Sequence, residues 1–166
     1  MKIGILGGSF NPVHIAHMVI AEEASFMFRL DEMYLMPAFV APHKQALGSN
    51  DAQTRMRLLN AAVQGSAIKV SDFELQRGAI SYTVDTVRYF AKMYDVTLCI
   101  GADSAMQFDT WKDYKEILTT AQIAVYPRAG ITSAQLREKW GDAFIYCEMP
   151  LLEISSSSIR ERIKKG

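Results

Sequence analysis

Short apolar runs alternate with longer segments of helical pattern along the whole chain. The apolar runs have the length and composition of strands that are buried on both faces of a parallel sheet. The longer segments have the spacing of apolar residues that is typical of helices with one buried face. This alternation predicts an α/β fold whose sheet of five to six strands is mostly parallel.

The predicted strands cover residues 2–6, 32–36, 67–71, 96–100, 122–126 and 144–147. The predicted helices cover residues 14–29, 51–64, 82–93 and 133–140, and a last helix runs from a serine run to Lys164. Residues 37–50 are expected to form a loop, 73–81 an irregular segment, and 101–111 a loop with a short helix. Asp51 is expected to cap the second helix, which would turn Met56, Leu58, Leu59 and Val63 towards the core.

Composition narrows the class of protein mainly by exclusion. The chain has 166 residues, 49% of them apolar and 22% charged, which suits one domain over residues 1–166. The formal net charge is zero, so strong electrostatic binding to nucleic acid is not indicated. No signal peptide and no run of about 18 apolar residues is evident, so no membrane association is expected. Cys99 and Cys147 lie in apolar runs and are expected to be buried thiols in a reducing, cytoplasmic compartment.

The first strand leads directly into a glycine pair. Gly7 and Gly8 allow backbone angles closed to other residues and, because they have no side chains, are expected to leave main-chain N–H groups accessible. Asn11 and Pro12 are expected to start the next helix, since Asn is a good N-cap and Pro suits the first helical position. A strand, a glycine turn and the positive end of a helix together predict a phosphate site.

Two histidines, His14 and His17, lie three positions apart at the start of this helix. Their imidazoles are therefore expected to share one face near the predicted phosphate site. The pair could instead lie on the surface or form half of a metal site. A metal site needs further ligands, and the other soft donors, His43, Cys99 and Cys147, are scattered without paired spacing.

A run of four serines near the C-terminus is the second candidate for phosphate binding. Serines at a helix start can cap the helix and leave other hydroxyl and N–H groups pointing outward. Arg160 follows within the first turns, and its planar guanidinium suits phosphate oxygens. Taken alone, the run favours a plain helix cap with solvated arginines, but beside the first motif it indicates a second set of phosphate ligands.

The string G-G-S-F-N-P-V-H-I-A-H resembles the H-x-G-H signature of the nucleotidyltransferases related to class I aminoacyl-tRNA synthetases, and within that group the nicotinate-nucleotide adenylyltransferases. Ala16 stands where that family has Gly. The string I-S-S-S-S-I-R resembles the family's I-S-S-T-x-I-R, with Ser157 in place of Thr. Three further segments, P-A-F-V-A-P-H-K, S-Y-T-V-D-T and G-A-D-S-A-M-Q-F-D-T-W, follow the family order. The resemblance covers nearly the whole chain and implies a Rossmann-like, doubly wound sheet with helices on both faces.

The resemblance implies transfer of the adenylyl group of ATP to nicotinate mononucleotide, which yields nicotinate adenine dinucleotide and pyrophosphate in NAD biosynthesis. Catalysis is expected from His14, His17 and Arg160, with His17 at the α-phosphate that reacts. Magnesium is expected to arrive on the ATP phosphates, without a metal site in the protein. The residues expected to bind ATP are Gly7, Gly8, Ser9, Phe10, His14, His17, Lys44, Gly101, Asp103, Ile154, Ser155, Ser156, Ser157 and Arg160.

The two middle segments imply the acceptor site. Trp111 is expected to stack on the pyridine ring, and backbone N–H groups near Thr83 and Lys112 to receive the nicotinate carboxylate. Asp103 is expected to contact ribose hydroxyls, and Ser9 to take part in acceptor binding. N–H groups prefer a carboxylate to an amide, which predicts selection for nicotinate over nicotinamide mononucleotide.

Several alternatives stay open at this point. A pantetheine-phosphate adenylyltransferase shares the expected fold and length, but that family usually carries Thr at the position of His14. A related cytidylyltransferase is a further alternative, whereas a tRNA synthetase is excluded because the chain is too short for its added domains. A module that binds a nucleotide without turnover belongs to a different class, and pyrophosphate release separates it from an enzyme. The sequence also leaves open whether the chain forms a homo-oligomer.

Overall fold

A computed structural model of the protein describes residues 1–40 and 49–166. In these residues six strands form one sheet, namely β1 (Lys2–Gly8), β2 (Glu32–Pro37), β3 (Lys69–Val70), β4 (Asp95–Gly101), β5 (Gln122–Tyr126) and β6 (Ile145–Tyr146). The helices are α1 (Ile15–Phe28), α2 (Ser49–Ala62), α3 (Phe73–Arg77), α4 (Thr83–Phe90), α5 (Ala102–Met106), α6 (Tyr114–Thr120), α7 (Ser133–Trp140) and α8 (Ser156–Lys165). Single 3-10 turns cover Phe108–Thr110 and Gly141–Ala143.

The strand order β3-β2-β1-β4-β5-β6 places β1 and β4 at the centre of the sheet. Every neighbouring pair of strands is parallel. The chain winds outward from β1 to β3 and then, starting at β4, outward in the other direction to β6. Ligands of such doubly wound sheets bind where the winding reverses, beyond the carboxyl ends of the two central strands. The predicted class, the parallel sheet and the doubly wound form are all confirmed.

Alternate residues of the central strands pack on opposite faces of the sheet, as the pleat requires. One face carries Ile3, Ile5, Leu98, Ile100, Ile123 and Val125, packed against apolar residues of α4, α5, α6 and α7. The other face carries Leu6, Met33, Leu35, Cys99, Ala124 and Tyr126, packed against α1 and α2. Helices therefore cover both faces, as expected. Cys99 and Cys147 are free and buried, and burial raises the pKa of both thiols.

Several predicted boundaries are wrong, mainly at the edges of the sheet. The edge strands β3 and β6 have two residues each, because each has a single neighbour and its ladder ends before its apolar run does. α3 forms within the segment predicted to be irregular, and the sequence does not predict α6. α4 ends at Phe90, and residues 91–93 form a turn instead of the predicted last helical turn.

The second helix differs most from its prediction. α2 begins at Ser49, so Asp51 is not its cap but lies in its first turn, 3.1 Å from Nε of Arg55. Leu59 is fully buried, but Leu58 is 43% exposed, so its predicted place in the core is wrong. Arg55 lies one turn before Leu59 on the same face and is only 1% exposed. The inner face of α2 thus contains a charged residue that the apolar pattern does not indicate.

The helices among residues 1–40 and 49–166 are too short or too polar to cross a membrane.

Candidate active site

Gly7 and Gly8 are the last two residues of β1. Both have φ values outside the left-handed region, so neither uses the backbone angles that glycine alone allows. Gly7 is exposed, and a Cβ atom there would have no neighbour within 4 Å, which leaves open space at the end of β1. A Cβ atom on Gly8 would lie 3.3 Å from the ring of Phe10. The left-handed backbone is found at Phe10, whose φ is 46°.

The first helix begins later than the predicted cap. Asn11 and Pro12 form a turn with a cis peptide bond between them, and His14 is the N-cap of α1. The His17 N–H donates to the His14 carbonyl at 2.9 Å, and the His14 N–H donates to Nδ1 of His17 at 3.2 Å. The histidine pair therefore caps the N-terminus of α1. The predicted cap, Asn11, lies three residues earlier and does not cap the helix.

The two imidazoles share one face of the helix start, as predicted. Their rings stack with centroids 3.7 Å apart and an interplanar angle of 28°. The ring of Phe10 meets His17 edge-on, with centroids 4.8 Å apart. Because Nδ1 of His17 accepts a hydrogen bond, the proton of its neutral form lies on Nε2.

His14 is set up to remain neutral. It is 9% exposed, and its buried Nδ1 has no hydrogen-bond partner among the described residues. Burial and, to a smaller extent, the positive charge of Arg128 lower the pKa of His14 below its ordinary value of 6.5. A second proton would add charge where water is scarce and a cation is near. At pH 7 His14 therefore offers a neutral imidazole and not a cation.

The serine run caps α8 as expected. Ser155 is the N-cap, and its Oγ accepts a hydrogen bond from the Ser158 N–H at 3.1 Å. Ser158 Oγ in turn donates to the Ser155 carbonyl at 2.8 Å. Ile154 precedes the cap and is half-buried. The start of this helix is therefore ordered by its own side chains, although α8 has no buried residue.

Two hydrogen bonds attach α8 to the turn after β1. Ser156 Oγ donates to the Pro12 carbonyl at 2.7 Å, and Nη1 of Arg160 donates to the Asn11 carbonyl at 2.6 Å. Nη2 of Arg160 donates to Ser157 Oγ at 3.2 Å. The two bonded pairs of residues are 144 and 149 positions apart in the chain, so the first and last motifs lie together beside the histidine pair. Other N–H groups of the exposed Arg160 guanidinium can still bind an anion.

The end of β4 lies beside the end of β1, at the place where doubly wound sheets have their ligand crevice. Gly101 ends β4 and caps α5, in whose first turn Asp103 lies. A Cβ atom on Gly101 would lie 2.5 Å from Oδ1 of Asp103 and 3.1 Å from Nε of Arg128, so a side chain at Gly101 would displace both. Arg128 Nε lies 3.8 Å from Asp103 Oδ1, and the guanidinium is close enough to lower the pKa of His14. Asp103 is exposed and faces solvent at this end of the sheet.

The segments predicted to bind the acceptor also meet. Nζ of Lys112 lies 4.5 Å from the centre of the Tyr82 ring, and Tyr82 is the N-cap of α4, whose first residue is Thr83. Trp111 is half-buried and packs against Phe108, with ring centroids 4.9 Å apart. The start of α4 and the turn that contains Trp111 therefore form one surface, which connects two segments that are about thirty positions apart in the sequence.

The surface formed by Tyr82, Thr83, Trp111 and Lys112 is attached to the residues that follow β2, the strand next to β1. The Phe39 N–H donates to Ser81 Oγ at 2.9 Å, and the Ser81 N–H donates to the Val40 carbonyl at 2.9 Å. Glu74, which is buried, accepts a hydrogen bond from Thr86 Oγ1 at 2.7 Å, and burial raises the pKa of its carboxyl group. These contacts hold residues 80–83 beside the end of β2.

Two arginines of the site are missed by the sequence reasoning. Arg128 follows β5, and the rule that ligands lie beyond the carboxyl ends of parallel strands could have found it. Arg55 reaches Ser9 from inside α2, and no local pattern indicates it. Lys44, which the family resemblance implies as an ATP contact, and its neighbour His43 lie outside the described residues.

Ala16, which replaces the family glycine, is 2% exposed. Its methyl group therefore packs inside the protein and does not project into open space. Within the described ranges, no group of three or more His, Cys, Asp or Glu residues is placed to hold a metal ion.

Comparison with known proteins gives a consistent result. The family model described as cytidylyltransferase-like matches residues 5–162. A protein of Opitutus terrae is 38% identical over 170 residues, which cover 100% of this chain and 87% of the relative. A protein of Pseudothermotoga lettingae is 37% identical over 175 residues, which cover 99% of this chain and 86% of the relative. Both are named probable nicotinate-nucleotide adenylyltransferase.

Solved structures agree on the fold. A Plasmodium falciparum nicotinic acid mononucleotide adenylyltransferase complexed with NaAD matches 96% of this chain and 82% of its own, with a TM-score of 0.78 at 18% identity. A putatively assigned nicotinate-nucleotide adenylyltransferase from Vibrio parahaemolyticus matches 99% of this chain and 88% of its own, with a TM-score of 0.68 at 20% identity. The family model and the two relatives, which match nearly the whole of this chain, carry the assignment. The chain belongs to the cytidylyltransferase-like family and, within it, to the nicotinate-nucleotide adenylyltransferases.

Proposed function

We propose that the chain transfers the adenylyl group of ATP to nicotinate mononucleotide and releases pyrophosphate, as a step of NAD biosynthesis. The observation that carries this proposal is the attachment of α8 to the turn after β1, by Ser156 to Pro12 and by Arg160 to Asn11. It puts a capped helix start and an arginine next to the paired histidines, at the point where the sheet reverses its winding. Two sets of N–H and cationic donors at one place suit a triphosphate.

The reaction asks for alignment and charge stabilisation and little acid–base chemistry. A phosphate oxygen of nicotinate mononucleotide attacks the α-phosphorus of ATP, a new P–O bond forms, and the bond between the α-phosphorus and the bridging oxygen breaks. The attacking phosphate has a second pKa near 6, so it is mostly ionised at neutral pH. The negative charge of the leaving pyrophosphate grows during the step, and fixed donors that meet it lower the barrier.

In this proposal His17 contacts the reacting α-phosphate through its Nε2–H. His14, which is neutral at pH 7, and the N–H groups of Gly7, Gly8 and Ser9 hold neighbouring phosphate oxygens. Arg160 binds the β- and γ-phosphates together with the capping residues 154–157.

Arg128 adds a further cation at the end of β5, where its Nε lies 3.8 Å from Oδ1 of Asp103. Lys44 is included as a phosphate contact from the loop that lies outside the described residues.

Magnesium is proposed to bind mainly through the phosphate oxygens of ATP and water, where it would neutralise part of their charge. The donors around the crevice support this, because they are imidazoles, guanidinium groups and main-chain N–H groups, which suit phosphate and do not coordinate a hard cation. Asp103 lies in the first turn of α5, directly after β4, and we assign it to ribose hydroxyls.

The acceptor is proposed to lie on the surface formed by Thr83, Trp111 and Lys112. The half-buried indole can stack on the pyridine ring with the side that does not pack on Phe108. Main-chain N–H groups at the start of α4 and near Lys112 would bind the carboxylate of nicotinate, which selects it over nicotinamide. Free cysteines and the absence of a spanning helix in the described residues are compatible with a cytoplasmic enzyme, which is part of the proposal.

The test is pyrophosphate release with ATP, magnesium and one of three acceptors: nicotinate mononucleotide, nicotinamide mononucleotide or phosphopantetheine. We expect rapid release with nicotinate mononucleotide and a kcat/KM at least about tenfold lower with nicotinamide mononucleotide. Equal kcat/KM values for the two pyridine nucleotides would overturn the acceptor assignment. Release with phosphopantetheine alone would contradict the acceptor class, and no release with any acceptor would contradict the reaction.

A further inference from the structure

Arg55 is a buried charged residue that reaches the end of β1. Its side chain enters from α2 and is only 1% exposed. Nη1 donates to the Ser9 carbonyl at 2.9 Å and to the Ala38 carbonyl at 2.8 Å. The guanidinium thus bridges the first residue after β1 and the first residue after β2.

The charge of the buried guanidinium is paired with a carboxylate, although the Nε–H group is not aligned for a hydrogen bond to any described residue. A buried guanidinium is costly unless a carboxylate and further acceptors surround it. Nε of Arg55 lies 3.1 Å from Oδ2 of Asp51, one turn earlier in α2. Both hydrogens of Nη1 are used, one for each carbonyl, and the Ala38 N–H closes the same junction by donating to the Gly8 carbonyl at 2.9 Å. A lysine at position 55 has no planar fork with which to make the same set of bonds.

The bond to Ser9 fixes the peptide that follows. In a planar trans peptide the C=O of one residue and the N–H of the next point in opposite directions. The Ser9 carbonyl points towards the buried guanidinium, so the Phe10 N–H points away from it. Phe10 then has a φ of 46°, a region that an aromatic residue rarely adopts without support from its surroundings.

The ring of Phe10 connects the Ser9–Phe10 peptide with the imidazole of His17. It is 2% exposed, touches Gly8 and meets the imidazole of His17 with centroids 4.8 Å apart. A change in the Ser9–Phe10 peptide would therefore move the ring that packs against the imidazole of His17. A chain of direct contacts leads from Arg55 through Ser9 and Phe10 to His17.

We propose that Arg55 is a positioning residue for adenylyl transfer, which sets the Ser9–Phe10 peptide and, through the Phe10 ring, the imidazole of His17. This inference rests on the proposed function. It assigns to α2 a part in catalysis although Arg55 does not touch the substrates. Because misplacement by about 1 Å can lower a rate by about 100-fold, loss of this bridge should reduce kcat well beyond any loss of folded protein.

The experiment compares Arg55→Met and Arg55→Lys with the wild type in the pyrophosphate assay, at a temperature where circular dichroism shows every variant to be folded. We expect kcat to fall about 10- to 100-fold in Arg55→Met and less in Arg55→Lys, which keeps a charge and donors. The proton resonances of the His17 imidazole should shift in the Arg55→Met protein without substrates. A purely structural role would leave both kcat of the folded protein and these resonances unchanged.

Leu59→Ala is the matched control, because Leu59 lies one turn later on the same buried face, and its apolar side chain cannot donate a hydrogen bond to the carbonyl groups of Ser9 and Ala38. It should lower the melting temperature and leave kcat within about twofold of the wild type. If Arg55→Met also keeps kcat within about twofold, the inference is overturned. If the wild type itself shows no turnover, the proposed function fails instead, and the His17 resonances still decide whether Arg55 positions the imidazole.

Discussion

The two proposed phosphate-binding segments are built in different ways. The segment after β1 lies at the centre of the sheet, where Phe10 and His14 are buried. The buried guanidinium of Arg55 donates a hydrogen bond to its main chain at the Ser9 carbonyl. The segment at the start of α8 lies on the surface, and no residue of α8 is buried. Side chains of Ser156 and Arg160 attach it to the turn at Asn11 and Pro12.

This difference separates rigid donors from adjustable ones. Donors that the core holds in place cost no reorganisation when charge develops in a transition state, so they suit the phosphorus that reacts. Donors on an exposed helix can move with a ligand at little cost, so they suit a leaving group that must depart. Substitutions in the first segment should therefore reduce turnover, and those in the second should also reduce the affinity for ATP.

The largest effect is expected from His17→Ala. It removes the donor that we place at the α-phosphate, and loss of one such fixed donor lowers kcat by about 100- to 1,000-fold. His17 is half-buried and its Nδ1 caps the start of α1, so the melting temperature should fall by only about 2–4 °C, which is too little to explain the loss of kcat. Steady-state kinetics with ATP and nicotinate mononucleotide, together with a thermal melt, measure both quantities. A kcat within about threefold of the wild type would remove the central role given to this residue.

A smaller loss is expected from Arg160→Ala. The charged hydrogen bonds of its guanidinium to phosphate should make kcat/KM for ATP about 10- to 100-fold lower when they are absent. KM for nicotinate mononucleotide should stay the same. Arg162→Ala is the matched control, because Arg162 is exposed on the same helix and has no bond to the turn after β1 among those described. Equal effects of the two substitutions would mean that α8 contributes only general positive charge.

The contrast between the two segments also explains what the sequence could predict. The helix cap at Ser155 and the facing histidines depend on neighbours three positions away, so local pattern is sufficient for them. The left-handed backbone of Phe10, just before the N-cap of α1 at His14, follows the Ser9 carbonyl that Arg55 binds from 46 positions away in the chain. Sequence reasoning therefore placed the first cap three residues too early.

Arg55 is the clearest example of a buried residue that the sequence pattern does not predict. An apolar pattern assigns charged residues to the outer face of a helix, and Leu58 to the inner one. The structure reverses both assignments, because two carbonyl groups at the ends of β1 and β2 and the carboxylate of Asp51 need a buried partner. That need arises only when the sheet is assembled, so no window of the sequence contains it.

A third prediction tests the attachment of α8 directly. Ser156→Ala removes the hydroxyl that donates to the Pro12 carbonyl, and a single hydrogen bond of this kind should change kcat/KM for ATP about 3- to 10-fold. Ser158→Ala is the control, because its hydroxyl bonds to Ser155 within α8 and not to the turn. If Ser158→Ala reduces kcat/KM as much as Ser156→Ala does, the helix cap and not the attachment is what matters.

The smallest effect concerns pH. The pKa of His14 is lowered, so the unfolded chain binds a proton at His14 more readily than the folded protein does. The folded state therefore has its full stability above about pH 6.5 and loses part of it as the pH falls through the lower pKa of the folded state. Between pH 7.5 and 5.5 the melting temperature of the wild type should fall about 1–3 °C more than that of His14→Gln, which cannot take up the proton.

Proton NMR of the free protein should place the midpoint of the His14 titration below 6.5, because burial and the charge of Arg128 lower the pKa from that value. A midpoint at or above 6.5 would show that the ring is more solvated than its burial indicates, and the rigid character of the first segment would then rest on Phe10 and Arg55 alone.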